Sequence, residues 1–157
     1  MVKTKTGLLV GVINLSGRTY MGNFECPFRA ALQAIEKIKK STPIMIVDFH
    51  AEATSEKGAL GWFLDGQVSA VIGTHTHVQT ADERILPLGT AFITDAGMSG
   101  SLDSVIGIEK QDVIQKFLSQ LPARFEVARG DVRLCAVLNE ADAATGRAHS
   151  IQRIVRK

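Results

Sequence analysis

Two short apolar runs that each lead into histidines constrain the fold of this chain more than any other feature. The first run, residues 44–47, continues through Asp48 and Phe49 to His50. The second run, residues 68–72, is followed by the segment Gly-Thr-His-Thr-His, which carries His75 and His77. Short apolar runs of this length are typical of buried strands.

A helix is predicted between the two runs. Residues 53–65 are mostly helix-compatible, and Leu60, Phe63 and Leu64 recur at the spacing of one helix face. Strand, helix and strand form a βαβ unit, in which the two strands lie parallel. Parallel strands deliver their following loops to one edge of the sheet, where open α/β sheets bind ligands.

This topology predicts that His50 meets His75 and His77 at one edge of the sheet. In extended backbone, side chains at positions i and i+2 point to the same side, so the last two could face one site. Neutral imidazole is the commonest side-chain metal ligand, which makes a metal site one interpretation. The other remains open, because surface histidines are common and His-x-His pairs also occur by chance. His149, in a polar stretch, is predicted to face solvent.

Carboxylates near the histidines are candidates for the same site. A two-metal hydrolytic centre uses carboxylates beside imidazoles, and the relevant loops offer Asp48, Glu52, Asp82 and Asp95. Asp48, Glu52 and Asp95 are candidate outer-shell residues that would hold the ligands in place. Each also has a structural alternative, as a charge in a loop or at a helix start, or as a hydrogen-bonding group at a strand end.

The rest of the chain predicts an α/β first half and an antiparallel last third. We expect an amphipathic helix that begins near Pro27 and runs past Ile38, with a basic last turn. The stretch 97–107 is predicted to be a glycine-rich loop, and residues 111–121 a helix. Strands are predicted at residues 7–15, 84–86, 90–94, 124–128, 132–140 and 148–155, with a tight turn at 129–131 that joins two of them in a hairpin.

Composition excludes several functional classes. The chain has 157 residues, enough for one domain with a substantial core. Its formal charge of +2 is spread along the chain, so no clustered basic patch indicates nucleic-acid binding. No apolar run approaches the length of a membrane span, and no signal-peptide segment is evident. Cys26 and Cys135 form no metal-type pair and are interpreted as free thiols, so a cytoplasmic protein is expected.

Four segments carry one combined pattern: residues 47–57, 64–66, 73–85 and 94–100. Together they resemble the bacterial YmdB-like family of the calcineurin-like metallophosphoesterase superfamily. The His-x-His pair alone would be weak support, whereas the long run that begins at residue 73 is highly specific. The similarity extends from about residue 7 to 154.

The resemblance implies a calcineurin-like α/β sandwich with a dinuclear centre of iron, manganese or zinc. It implies that His50, His75 and His77 are metal ligands. It also implies phosphodiesterase activity on small phosphodiesters such as 2′,3′-cyclic nucleotides, in which a metal-activated hydroxide attacks phosphorus. No catalytic residue beyond these ligands is assigned.

Family members carry further ligands in an N-terminal part: an Asp after the first strand, a Glu-Asn pair and another Asn. No such motif precedes Leu8 here. We therefore expect residues 1–157 to form a single domain, the C-terminal portion of a metallophosphoesterase domain. The alternative to an enzyme is a non-catalytic metal-binding half-domain that needs an N-terminal partner segment. An uncovered sheet edge would also favour a homo-oligomer.

Overall fold

The computed structural model describes all 157 residues as a mixed α/β fold with nine strands and three helices. The elements in chain order are β1 (Val2–Lys3), β2 (Leu9–Ser16), α1 (Pro27–Ile38), β3 (Met45–His50), α2 (Thr54–Phe63), β4 (Ala70–Thr74), β5 (Arg84–Ile85), β6 (Ala91–Ile93), β7 (Ser99–Ser101), α3 (Lys110–Ser119), β8 (Val132–Ala141) and β9 (Ala148–Arg156). None of the three helices combines the length and apolar character that crossing a bilayer requires.

The main sheet has six strands in the order β1-β2-β3-β4-β6-β5. The inner strands β2, β3, β4 and β6 are parallel, and the short strands β1 and β5 pair antiparallel at the edges. Both predicted βαβ units, β2-α1-β3 and β3-α2-β4, are confirmed. Since the three strands β2, β3 and β4 run the same way, their carboxyl ends lie side by side.

The principal core lies between one face of this sheet and the helices α1 and α2. Strand β3 alternates strictly, with Met45, Val47 and Phe49 buried against the helices and the intervening residues only half-buried. Helix α1 begins with Pro27 at its first turn, where the missing N–H is not needed. The two helices touch through an edge-to-face contact between Phe28 and Phe63. The helix side of the sheet is therefore closed to solvent and to ligands.

A second, three-stranded antiparallel sheet, β7-β8-β9, packs against the other face, where β9 contacts β5 and β6. Ala148 and Ile151 of β9 meet Ala70 and Ala91 of the main sheet in a small apolar cluster. The three alanines allow the close approach of the two sheets. The predicted antiparallel C-terminal region is confirmed in this arrangement.

Two parts of the predicted C-terminal region are wrong. Residues 124–128 form no strand, and β8 pairs instead with β7, which lies within the stretch predicted to be loop. The backbone of this stretch finds other partners: Glu109 N–H donates to the Glu126 carbonyl and Ala128 N–H to the Gly107 carbonyl. These backbone hydrogen bonds to residues 107–109 replace those of the predicted hairpin. The turn at 129–131 therefore does not join two strands.

Candidate metal centre at the carboxyl edge of the sheet

The carboxyl ends of β2, β3 and β4 place polar side chains in one row. In the strand register, Ser16 lies beside His50, which lies beside Thr74. His50 is the last residue of β3 rather than the first residue after it, because the strand continues two residues beyond Asp48. The predicted convergence of the two strand ends is therefore confirmed.

A chain of hydrogen bonds fixes the His50 ring. Asn14 Nδ2 donates to Asp48 Oδ2 at 2.7 Å, and Thr74 Oγ1 donates to Asp48 Oδ1 at 2.9 Å. Since the Thr74 hydroxyl has one proton, and that proton goes to the carboxylate, its oxygen accepts from His50 Nδ1 at 3.2 Å. The network thus assigns the His50 proton to Nδ1 and leaves Nε2 with a free lone pair.

Glu52 fixes the His75 ring in the complementary way. His75 Nε2 lies 3.1 Å from Glu52 Oε2, and an ionised carboxylate only accepts, so Nε2 carries the proton. His75 Nδ1 is then the lone-pair nitrogen, and it lies 3.0 Å from His50 Nε2. The two rings meet edge to face, with centroids 4.7 Å apart.

The pair consequently presents two facing lone pairs with no proton between them when both rings are neutral. A cation coordinated by both nitrogens resolves this repulsion, as does one added proton. Metal-ligating imidazoles usually donate their other N–H to a carboxylate, a carbonyl or a water, and here Glu52 and the Thr74 hydroxyl hold that place. The donor set of His50 and His75 therefore fits two positions of a divalent metal.

His77 does not join the pair. Its Nδ1 lies 3.0 Å from the carbonyl oxygen of Ile106, no hydrogen bond or ring contact links it to the other histidines, and its side chain is exposed. The expectation that residues i and i+2 share a side assumed extended backbone and is wrong, since φ is +108° at His75 and +67° at His77. No group of three or more His, Cys, Asp or Glu side chains is arranged to hold a metal. The Ile106 carbonyl nevertheless accepts a hydrogen bond from Nδ1 of His77, so that nitrogen carries the proton and Nε2 of His77 keeps a free lone pair.

A buried ion pair anchors the loop between the histidines. Lys57 Nζ lies 2.8 Å from Asp95 Oδ2, and both side chains are 1% exposed. The same carboxylate oxygen accepts from Thr76 N at 3.0 Å and from Thr76 Oγ1 at 2.7 Å, while Oδ1 accepts from Gly97 N. Burial raises the pKa of Asp95, but the bonds from Lys57, Thr76 and Gly97 outweigh that effect and hold the pKa below its ordinary value.

Lys57 is a residue that the sequence interpretation missed. The predicted inward face of α2 was Leu60, Phe63 and Leu64, but Phe63 is 42% exposed and the buried face is Lys57, Leu60, Gly61 and Leu64. A lysine three residues before a core leucine was the available signal. Its partner is 38 residues further along the chain, so no local pattern identifies it.

Gly73 sets how closely the histidine loop passes the neighbouring strand. A Cβ atom there would lie 1.7 Å from the carbonyl oxygen of Thr94, a distance that no side chain tolerates. Asp82 holds the far side of the same strand end, through bonds from Thr94 N at 3.1 Å and from Thr94 Oγ1. Burial raises the pKa of Asp82, and the Thr80 and Thr94 bonds outweigh it and lower that pKa. Asp82 therefore anchors the loop and does not contact the histidines.

Two further residues lie apart from the histidine pair. His149 is exposed on β9, as predicted. The backbone N–H of Arg18 donates to Glu56 Oε1 at 3.0 Å, which ties the loop after β2 to the first turn of α2. Of the outer-shell candidates, Asp48 orients His50 through Thr74, and Glu52 contacts His75.

Comparison with known proteins gives matches over nearly the whole chain. Residues 1–154 match the family described as YmdB-like protein. The chain is 51% identical over 149 residues to the 2′,3′-cyclic-nucleotide 2′-phosphodiesterase of Bacillus subtilis (strain 168), covering 95% of this chain and 56% of that protein.

Two solved structures share this fold. A hypothetical protein from Thermus thermophilus superposes with a TM-score of 0.86 at 40% identity, covering 92% of this chain and 56% of the other. A novel phosphatase from Mycoplasma pneumoniae superposes with a TM-score of 0.84 at 38% identity, covering 92% and 52%. The chain thus spans about half the length of the relatives that it matches.

Proposed function

The chain belongs to the YmdB-like protein family, and from this membership we propose that it is a metal-dependent phosphodiesterase acting on phosphodiesters such as 2′,3′-cyclic nucleotides. The observation that carries the proposal is the pair of facing lone pairs on His50 and His75, held 3.0 Å apart by partners that fix both tautomers. The substrate class is supported by the name of the Bacillus subtilis relative, which is 51% identical.

The ligands that we propose are His50, His75 and His77. Divalent ions of iron, manganese or zinc, two in the complete centre, would supply positive charge for the phosphate and a water of lowered pKa as nucleophile. Asp48 and Glu52 keep the proton of each ring on the nitrogen that faces away from the metal. Asp95 accepts a hydrogen bond from Thr76 and so holds the loop that carries His75 and His77. For His77 to join them, its ring turns from the surface toward the pair.

We further propose that residues 1–157 form one domain, equivalent to the C-terminal portion of a calcineurin-like metallophosphoesterase sandwich. The chain spans about half the length of its relatives, and only two imidazole nitrogens converge here. A two-metal centre needs more donors than that, so the remaining carboxylate and amide ligands come from another polypeptide segment. A cytoplasmic location goes with this proposal.

The same observations favour a second candidate function. A domain with two converging imidazoles binds one metal weakly and turns over no substrate. In that case the chain is a non-catalytic metal-binding half-domain that needs an N-terminal partner segment. The two functions differ in turnover but not in metal binding, so both properties must be measured.

The test is hydrolysis of bis-p-nitrophenyl phosphate and of 2′,3′-cyclic AMP with added manganese, beside a calorimetric titration with manganese alone. His75→Ala removes a proposed ligand, and His149→Ala is the matched control at an exposed histidine outside the site. Turnover that His75→Ala abolishes and His149→Ala retains supports the enzyme. Manganese binding that depends on His75, without turnover, supports the half-domain. Binding that is equal in all three proteins refutes both.

We also propose that the chain assembles through the edge of β2. Strand β1 pairs only with Leu9 and Val10, so no strand covers residues 11–16 on that side, and Val12 is 50% exposed. Open edges pair readily with other chains. Light scattering that gives a dimer or larger species, reduced by Val12→Lys, is expected. A monomer at all concentrations would contradict it.

A further inference from the structure

A cavity of about 380 Å³ is lined by ten residues, of which only His77 is also a proposed metal ligand. Its walls come from the loop after β4, the stretch 98–106 and the neighbouring strands β8 and β9. Six of its ten lining residues are apolar, including Leu102, Ile106 and Val155. Cavities of roughly 300–1,000 Å³ with mostly apolar walls and few polar groups are typical of small-molecule sites.

The apolar wall is unusually open to solvent. Leu102 and Ile106 are each 46% exposed and Val155 is 47% exposed. Several large apolar side chains exposed around one concavity are typical of a ligand-binding groove or of a protein interaction site. The polar lining is already engaged within the protein: Gln79 Nε2 donates to the Ala96 and Ala136 carbonyls, and Ser104 Oγ donates to the Ser101 carbonyl.

Arg153 supplies the one cationic group of the cavity wall. Its Nε lies 2.7 Å from Glu83 Oε1, which fixes the guanidinium. A held guanidinium stacks well on a flat aromatic ring. Met98, also in the wall, has a flexible and polarizable side chain that adapts to rings of different shape. The cavity therefore suits a planar, weakly polar group.

We propose that this cavity, the His77 cavity, binds the base of a nucleotide whose phosphate lies toward His50 and His75. This inference rests on the proposed phosphodiesterase function and adds to it the place of the nucleoside. Stacking on the Arg153 guanidinium and contact with the apolar wall carry the binding. His77 is the residue that the cavity shares with the proposed metal site.

Cys135 gives a direct probe of occupancy, because it lines the cavity and is half-buried. In a Cys26→Ser background, the alkylation rate of Cys135 by iodoacetamide is measured with adenosine 3′-monophosphate and, separately, with inorganic phosphate. We expect the nucleotide to slow alkylation at least tenfold and phosphate to have little effect. No protection by the nucleotide, or equal protection by phosphate, would overturn the assignment.

Two tryptophan substitutions test the same point by affinity. Val155→Trp fills the cavity, whereas Val132→Trp places the same ring on β8 outside the cavity, at a valine that is 61% exposed. By equilibrium dialysis, Val155→Trp is expected to raise the Kd for adenosine 3′-monophosphate at least tenfold, and Val132→Trp to leave it within twofold. Equal effects would count against the proposal.

Hydrolysis of 2′,3′-cyclic AMP is measured on the same Cys26→Ser protein. Turnover without protection of Cys135 would leave the proposed function standing and overturn the His77 cavity as the base site. Protection without turnover would support the cavity and count against the enzyme.

Discussion

Replacing Lys57 with methionine tests how much the buried ion pair contributes to the fold. The substitution keeps most of the side-chain volume but leaves the Asp95 carboxylate without its cation, and both partners are 1% exposed. Removing one partner of a buried pair costs about 3–5 kcal/mol. Since Asp95 keeps its bonds from Thr76 and Gly97, we expect the lower end, about 3 kcal/mol. For a chain of this size that lowers Tm by roughly 6–12 °C.

Urea unfolding at pH 7 measures this loss of stability. We expect the urea concentration at the midpoint to fall while the dependence of the free energy of unfolding on urea concentration stays unchanged. Lys110→Met is the matched control, because Lys110 pairs with Asp103 at 2.6 Å while both side chains are largely exposed. An exposed pair of this kind contributes below about 1 kcal/mol. A loss in Lys57→Met no larger than in this control would refute the reasoning that burial makes the pair important.

A second measurement separates the fold from the site. Thr76 lies between His75 and His77 and is held by the carboxylate that Lys57 pairs with. Loosening an outer-shell partner typically costs about 10–100-fold in metal affinity. We therefore expect Lys57→Met to weaken manganese binding by about that factor at a temperature where it is fully folded. Unchanged affinity would show that the loop does not depend on the ion pair.

Three other predictions concern the same edge of the sheet. Gly73→Ala is expected to lower the free energy of unfolding in urea by more than about 3 kcal/mol, because its Cβ would overlap a backbone carbonyl. Gly58→Ala, in open space on α2, is expected to raise that free energy by up to about 1 kcal/mol. Similar effects at both positions would contradict this prediction. The folded-state pKa of Asp95 lies below the unfolded value of about 3.9. The stability that Asp95 contributes is therefore complete above that pH and is lost as the pH falls through the lower folded pKa. In unfolding experiments from pH 6 to 2, the free energy of unfolding should fall less in Asp95→Asn than in the unchanged protein. Thr74→Val removes the hydroxyl that accepts a hydrogen bond from the His50 ring. Calorimetry is expected to show manganese binding weakened about 10–100-fold, while Tm changes by only a few degrees. An affinity equal to that of the unchanged protein would refute the assigned His50 tautomer.

The sequence alone predicted the elements that depend on local pattern. The apolar runs before His50 and His75 and the helical spacing between them defined a βαβ unit, and parallel pairing then required both strand ends to share an edge. That inference needs only periodicity and chain connectivity, so it placed two of three histidines together. The family resemblance extended this to a metal site, and the histidine tautomers in the structure are compatible with it.

The predictions that failed depended on contacts between distant segments. Residues 124–128 have a strand-like pattern, but their backbone bonds to residues 107–109, and β7 formed in a glycine-rich stretch because β8 offered it a partner. Strand identity in such short segments is decided by which neighbour supplies hydrogen bonds, and a single sequence does not show the neighbour.

Sequence by itself therefore determined the parallel sheet, its helix-covered face and the meeting of His50 with His75, because each follows from spacing within about thirty residues and from connectivity. Tertiary structure decided the rest. Positive φ angles at His75 and His77 turned the second ring away from the first, and the Lys57–Asp95 pair, 38 residues apart, fixed the loop between them. Side-chain direction in a loop depends on backbone angles and on distant partners, and only the folded chain specifies both.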